Sequence, residues 1–383
     1  MRRLPHVALL VETSRSYGRG VLRGIRRYLS EYGPWSVYLE IRALDSRGPP
    51  WLRHWRGDGI LTRTGSRALA DLIRAAGVPT VEMRTTRFLP DVPFVGVDNH
   101  ALGQMVAEHL LDRGFRRFGL YALDTEDFFR ERCANFVETV RRAGYPCAVY
   151  HAPRRERPAH WERHQDDLAE WVSGLPKPVG LMACTDQLGF WLLDACRRAG
   201  AAVPEEVAVV GVENEESLCS MANPPLSSMR LNTEQAGYVA AALLDRLMRG
   251  KKAPRQRTLL EPLGIVTRQS SDVVAIEDEE LAAAVRFIRE HACEGIGVDD
   301  VLGAVAVSRS TLERGLRRVL GRSPNAEIRR VQLSRVQQLL IETDLPLSVI
   351  AARAGFRHLP YMCEAFKKQY GRTPGAYRAA AKG

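Results

Sequence analysis

No stretch of the 383-residue chain approaches the roughly 20 consecutive apolar residues of a membrane-spanning helix. The apolar run after Arg2 and Arg3, Val7 to Val11, is too short for the core of a secretory signal, so a cytoplasmic protein with no membrane partner is expected. Cysteine is sparse: Cys133, Cys147, Cys184, Cys196, Cys219, Cys293 and Cys363 are odd in number and never spaced as Cys-x-x-Cys. Neither a disulfide framework nor a structural zinc site is indicated, and reduced, mostly buried thiols are expected. Catalytic motifs are equally scarce. There is no Gly-x-Ser-x-Gly elbow and no phosphate loop ending in Gly-Lys-Ser/Thr. His160-Trp-Glu162-Arg-His164 has the wrong order for a His-Glu-x-x-His zinc site, because the Glu must follow the first His directly to reach a metal-bound water. It reads as a solvated helix surface. Gly18-Arg-Gly20-Val-Leu-Arg-Gly24 approximates a dinucleotide fingerprint, but its third glycine is one position late. No metal, no cofactor and no catalytic residue are therefore assigned.

What the chain does have is ordinary soluble composition, 45% apolar and 26% charged, and enough length for two or three domains. Its charge is placed unevenly. Residues 308 to 383 hold 15 Lys and Arg against 5 Asp and Glu, an excess equal to the net +10 of the whole chain. The preceding residues balance, so the positive field is confined to one end, where neutralising phosphates would require it. Beneath that charge lies a repeat: Leu312 to Pro324 ends in Gly-Arg-Ser-Pro, and Met362 to Pro374, offset by 50 positions, ends in Gly-Arg-Thr-Pro. Each copy has a short apolar helix, a tight turn and a second helix studded with Arg or Lys, the sequence form of a helix-turn-helix.

In the first copy Val301, Leu302 and Val305 support, Ala306 to Ser308 turn, and Arg309 to Leu320 form a reading helix with Leu312, Leu316 and Val319 inward. Arg309, Ser310, Thr311, Arg314, Arg317 and Arg318 are left for double-stranded DNA, the early residues for base edges and the later arginines for phosphate. In the second copy Leu347, Ile350 and Ala351 support and Gly355 turns. Tyr361, Met362 and Phe366 anchor a helix exposing His358, Leu359, Cys363, Lys367 and Lys368. Pro324 to Glu342 reads as one long helix that fixes the spacing between the two readers.

From residue 5 to about 270 apolar runs alternate with amphipathic stretches. Val7 to Val11, Val37 to Ile41, Gly59 to Leu61, Thr80 to Met83, Phe94 to Val97, Phe118 to Tyr121, Gly180 to Ala183 and Val207 to Val212 read as strands. Ala101 to Leu111 reads as a helix ending at Gly114. Regular alternation of this kind gives parallel sheets with helices on both faces, here in two lobes because a fresh strand at Phe118 follows the first set. The expected domains are 1–272, an α/β unit of two lobes; 273–280, a linker including the acidic Glu277-Asp278-Glu279-Glu280; and 281–383, all-α with two helix-turn-helix units.

Ile350-Ala351-Ala352-Arg353-Ala354-Gly355-Phe356, with Tyr361, Phe366-Lys367-Lys368, Gly371, Thr373-Pro374 and Tyr377-Arg378, resembles the AraC/XylS signature over roughly residues 279 to 380. That resemblance implies two recognition helices in successive major grooves, and a transcription regulator that is often an activator, with RNA polymerase as a further partner. Pro360 and Met362 depart from the signature, where a small polar residue and an aromatic are usual. The first 270 residues resemble the effector domain of the LacI/GalR family, itself similar to periplasmic sugar-binding proteins, with that family's N-terminal DNA-binding headpiece missing. The residues carrying this are Thr13 to Gly24, Val95-Gly96-Val97-Asp98-Asn99, Arg132 before Phe136, Thr185-Asp186 and Gly211-Val212-Glu213-Asn214. The two domains in this order resemble regulators of xylose operons.

The resemblance implies a monosaccharide effector, D-xylose being one candidate, and a homodimer formed through the sensor lobes. Carboxylates, an amide and a guanidinium at the C-terminal ends of parallel strands suit neutral polyols, whose adjacent hydroxyls they bond while an aromatic covers the ring. Asp98, Arg132, Asp186, Glu213 and Asn214 are the expected polar ligands, with Tyr17 or Phe190 stacking. Asp98 and Asp186 equally suit helix caps, and Arg132 a surface ion pair. Glu213 stands where such regulators usually have Asp. A second reading is an enzyme with a sugar or nucleotide cleft carrying a DNA-targeting tail.

Overall fold

A computed structural model describes the chain except residues 1–2, 44–45, 153–159, 253–256, 274–275, 277 and 383; Glu277 of the expected acidic linker therefore lies outside the described residues. The chain divides into two compact units, 1–273 and 274–383. No helix among the described residues is long and apolar enough to cross a membrane.

The first unit opens with β1 (His6–Leu10), α1 (Ser16–Tyr32), β2 (Ser36–Leu39), β3 (Gly59–Thr62), α2 (Arg67–Ala76), β4 (Thr80–Glu82) and β5 (Val95–Val97). The chain then crosses into a second lobe of α3 (Asn99–Asp112), β6 (Phe118–Ala122), α4 (Asp127–Arg142), β7 (Cys147–His151), α5 (Trp161–Gly174), β8 (Val179–Ala183), α6 (Asp186–Arg198), β9 (Val207–Val212), α7 (Glu216–Met221) and β10 (Ser227–Met229). It returns for α8 (Thr233–Met248) and β11 (Thr258–Leu260), and crosses once more to β12 (Ile265–Val266). One sheet runs β2-β1-β3-β4 and the other β12-β10-β9-β8-β6-β7, while β11 pairs with β5. All pairings are parallel except β10 with β12. Central strands such as β8 and β9 are buried along their whole length because helices cover both faces, which is why they read as unbroken apolar runs.

Four strands carry no such run. β7 lies at a sheet edge, β11 and β12 are short, and β10 is Ser227-Ser228-Met229, fully buried yet polar. Its hydroxyls are satisfied internally: Ser227 Oγ donates to Arg268 O at 2.8 Å, and Ser228 Oγ lies 2.5 Å from Asp186 Oδ1.

The glycine series in α1 has a packing role. A Cβ on Gly24 would stand 1.8 Å from the carbonyl oxygen of Glu234, and one on Gly237 would stand 2.0 Å from that of Val21. The glycines let α1 and α8 approach backbone to backbone inside the first lobe, so this is no dinucleotide loop. The His160 to His164 segment also departs from expectation. Glu162 is exposed, but His164 is buried and its Nε2 lies 2.6 Å from Tyr121 Oη, with burial lowering its pKa. Of the seven cysteines, all free, Cys133, Cys184, Cys196 and Cys219 are buried and the others half-buried.

The second unit comprises α9 (Glu279–His291), α10 (Val298–Ala304), α11 (Arg309–Leu320), α12 (Pro324–Glu342), α13 (Leu347–Arg353), α14 (Leu359–Tyr370) and α15 (Pro374–Lys382). Two apolar clusters fill it, one under α11 and one under α14. The repeated Gly-Arg-Ser/Thr-Pro has a local cause. Gly321 and Gly371, at φ 68° and 71°, end the reading helices in left-handed conformation. Ser323 and Thr373 then accept the amides of Ala326 and Ala376, each at 3.3 Å, and Pro324 and Pro374 start the next helix. Gly24→Val is expected to lower the unfolding midpoint of the first unit, at a cost of about 1–3 kcal/mol, because the displaced Glu234 carbonyl is backbone and cannot yield cheaply. Thermal denaturation followed by circular dichroism checks this, and an unchanged midpoint would mean the helices tolerate separation.

Candidate functional site

The C-terminal ends of β1, β3, β4 and β5 face the start of α4 and the turn after β9 across a cavity of about 430 Å³. That volume lies within the ~300–1,000 Å³ typical of small-molecule sites. Among its lining residues are Glu12, Tyr17 and Arg63 from the first lobe, Asn99, Phe128, Arg132 and Glu213 from the second, and Asp98 at the crossing between lobes.

Of the expected ligands, Tyr17, Asp98, Arg132 and Glu213 come together here. Asp98 caps α3, accepting the Ala101 amide at 2.9 Å, and also lines the cavity. Arg132 is buried and makes no ion pair among the described residues. Its Nε and Nη2 donate to Asn99 Oδ1 at 3.1 and 2.9 Å, and its Nη1 donates to Cys184 O at 3.1 Å. Asn99, unmarked in the sequence beyond its place in the Val95 to Asn99 motif, therefore orients the guanidinium. Phe128 and Phe129 lie 5.5 and 5.3 Å from it, and of these two rings Phe128 lines the cavity. Phe190 is half-buried and absent from the walls of this cavity and of the two beside it, so it is not the stacking ring.

Asp186 and Asn214 also lie outside the main cavity, in the walls of two adjoining ones that share Glu213. Their position follows from the backbone. Glu213 and Asn214 have φ of 108° and 50°, values that side chains rarely adopt. Three consecutive amides hold this turn: Glu213 N donates to Met229 O at 3.0 Å, Asn214 N to Ser228 Oγ at 3.0 Å and Glu215 N to Asp186 Oδ2 at 2.7 Å. Thr185, not Asp186, caps α6. Asp186 is 1% exposed, and burial pushes its pKa up to about 8 against the lowering by Ser228 and the Glu215 amide. It braces the turn that presents Glu213. Burial likewise pushes Glu82 up to about 7 against the hydrogen bonds of Thr64, Met83 and Arg84, all at the ends of β3 and β4.

In the second unit Arg309, Ser310, Thr311, Arg314, Arg317 and Arg318 are all exposed on α11, with Leu312, Leu316 and Leu320 buried and Val319 half-buried. His358, Lys367 and Lys368 are exposed on or beside α14, whereas Leu359 and Cys363 are half-buried against the apolar cluster below. Arg309 pairs with Asp299, while Arg317, Arg318, Lys367 and Lys368 have no carboxylate partner among the described residues. Tyr361 is no core anchor, being 51% exposed. Met362 takes the buried position, and the Arg329 guanidinium lies 4.4 Å from the Tyr361 ring. Pro360 falls in the first turn of α14, where its missing amide costs nothing. The two readers share one spine: buried Gln332 of α12 donates to Ala292 O at 2.9 Å and to Gly355 O, in the second turn, at 3.2 Å.

A two-lobed effector-binding domain of the periplasmic type joined to a double helix-turn-helix defines a ligand-controlled transcription regulator. Residues 6–100 match the XylR N-terminal domain, 107–271 the periplasmic binding protein-like domain and 302–380 a helix-turn-helix domain. The chain is 32% identical to the xylose operon regulatory protein of Escherichia coli K12, over 97% of its own length and 96% of the relative's. It is 30% identical to the Haemophilus influenzae protein of the same name, over 97% of each. A solved structure of a xylose-binding transcription activator, xylR, superposes with a TM-score of 0.82 at 31% identity over 99% of both chains. The chain belongs to the family of xylose operon regulatory proteins. These relatives are transcription regulators and not enzymes, which sets aside the enzyme reading.

Because the folded pKa of Asp186 lies above its unfolded value of 3.8, the protonated carboxyl contributes stability that is complete below about pH 4 and is lost as pH rises toward about 8. Asp186→Asn mimics the protonated form. The midpoint of the variant relative to wild type is expected to rise between about pH 5 and pH 8.5, read by thermal denaturation. A difference constant with pH would mean that Asp186 is ionised in the folded protein.

Proposed function

We propose that the chain is a sugar-responsive activator of a xylose-type catabolic operon. A monosaccharide, D-xylose first among the candidates, occupies the cavity between the lobes and changes how the double helix-turn-helix engages operator DNA. The observation carrying this is the cavity itself. It combines Asp98, Glu213, Asn99 and Arg132, planar groups that bond adjacent hydroxyls, with Tyr17 and Phe128 for the ring faces. The solved relative is a xylose-binding transcription activator. A homodimer and RNA polymerase are the further partners of this reading, in the cytoplasm.

The lobes already bond across the cleft. Arg84 Nη2 donates to Glu126 Oε1 at 2.5 Å and Thr85 Oγ1 to Asp127 Oδ2 at 2.8 Å; Ser16 N donates to Glu215 Oε2 at 3.0 Å. A ligand touching both walls favours this arrangement, and by linkage operator DNA then shifts sugar affinity in the same sense.

Asp98→Asn separates the two roles of Asp98, since Asn caps helices as well as Asp does. The variant is expected to melt like wild type without sugar and to lose the rise in midpoint that aldopentoses produce. A full rise retained in the variant would remove Asp98 from the site; no rise in wild type with any aldopentose or aldohexose would sink the sugar reading. At the other end, Lys367→Ala is expected to weaken DNA binding to all sequences alike and to reduce the salt slope by about 0.9, measured by fluorescence anisotropy over a salt series. An unchanged slope would show that Lys367 meets no phosphate.

A further inference from the structure

Beneath the cavity, at the end of β1, Glu12 has a side chain only 2% exposed. Its Oε2 accepts from Arg63 Nε at 2.8 Å, and the Arg63 guanidinium lies 4.0 Å from the Tyr17 ring. Arg63 is anchored further by Nη1 donating to Met83 O at 3.3 Å. The position is tightly walled: a Cβ on Gly18 would come within 1.9 Å of Glu12 O and 3.1 Å of Glu12 Cδ. Glu12 Oε1, in contrast, is buried with no hydrogen-bond partner, and Glu12, Arg63 and Tyr17 all line the cavity.

A buried carboxylate oxygen without a donor is costly, and natural structures rarely leave one so. Here Arg63 and the backbone at Gly18 bound the carboxylate, and the cavity that Glu12 lines is where a partner can enter. The Arg63 ion pair cancels the charge of the carboxylate, so the missing partner need not be a cation; a neutral O–H suffices, and an anionic group would meet the acceptor face of Glu12. We infer that Glu12 is a specificity-determining residue of the effector site, accepting one hydroxyl of a neutral polyol through Oε1, with Arg63 and Tyr17 holding it in place. This deepens the sugar reading and rests on it. Glu12 selects a hydroxylated, uncharged end of the ligand from the first lobe, while Asp98, Arg132 and Glu213 take the rest.

The test is a double-mutant cycle by isothermal titration calorimetry on the full chain, using whichever of D-xylose, L-arabinose and D-ribose binds wild type most tightly, together with its mono-deoxy analogues. Glu12→Ala is expected to weaken the parent sugar by roughly 10- to 100-fold, the range of a hydrogen bond to a charged group. One mono-deoxy analogue, weakened on wild type, is expected to bind Glu12→Ala as well as the parent sugar does, because protein and ligand have then lost the same bond. If Glu12→Ala does not melt as a folded protein, Glu12→Met, close to Glu in length and without an oxygen acceptor, carries the same cycle. Equal deoxy penalties on wild type and variant, or an unchanged affinity for the parent sugar, would overturn the assignment and leave water as the partner of Oε1. Absence of any sugar binding by wild type instead removes the parent reading, and this one with it.

Discussion

The carboxyl of Asp186 fixes the turn on which the cavity is built. Two successive non-glycine residues at positive φ, Glu213 and Asn214, cost on the order of 1–3 kcal/mol each. Such a turn persists only if its surroundings over-determine it. Three amide hydrogen bonds in a row do so, ending at Asp186, and each contributes about 0.5–1.5 kcal/mol. Gly211 completes the arrangement, because a Cβ there would stand 2.4 Å from Asp186 Oδ1. The strain has a product: Glu213 reaches the walls of all three neighbouring cavities from a backbone that cannot relax.

Closure of the lobes is supported by bonds of unequal worth. Arg19 is 44% exposed where it meets Glu215 at 3.2 Å, a pair that contributes about 0–1 kcal/mol. Burial would raise the pKa of Glu215, yet the hydrogen bonds from Ser16 and Ser217 and the charge of Arg19 hold it below the usual range. Arg84, only 6% exposed, is better shielded and its pairing with Glu126 matters more. The sum is modest, of the size of the few kcal/mol by which ligands shift two-state equilibria.

The sequence is most readable where one force acts alone. The helix bounds of the DNA-binding unit follow from caps and stops encoded within a few residues, and Arg309–Leu320 is where its Ser308 cap and Gly321 stop place it. Central strands are legible because both faces are apolar. β10 is hidden, for its serines are buried by virtue of partners 40 or more residues away in sequence, Asp186 and Arg268. The same distance dependence divides the site residues. Asp98 and Arg132 sit where strand ends and helix starts deliver them, but the identity of Asp186 as a brace depends on a turn conformation that no local pattern announces. Glu12 and Arg63, 51 residues apart, are recognisable as a pair only once β1 and β3 lie side by side. Tyr361 shows the converse: an aromatic at helical spacing reads as core, yet Met362 beside it fills that place and frees Tyr361 for Arg329.

The DNA-binding unit is organised around one helix, α12. Glu327, fully buried, gathers Arg289 of α9, Arg322 of the turn after α11 and Arg330 of its own helix at 3.7, 3.0 and 2.8 Å. Burial alone would raise its pKa, but Arg330 first, then Arg289 and Arg322, hold it low. Gln332, less than two turns on, ties the same helix to both halves of the domain. Moving α9 or α11 away from α12 would break the Glu327 contacts, and separating a buried carboxylate from its arginines costs about 3–5 kcal/mol. That equals or exceeds the 1–3 kcal/mol typical of coupling between sites. Coupling energies of that size leave α11 clamped to α12, and Gln332 extends the hold of the same helix to the turn before α14.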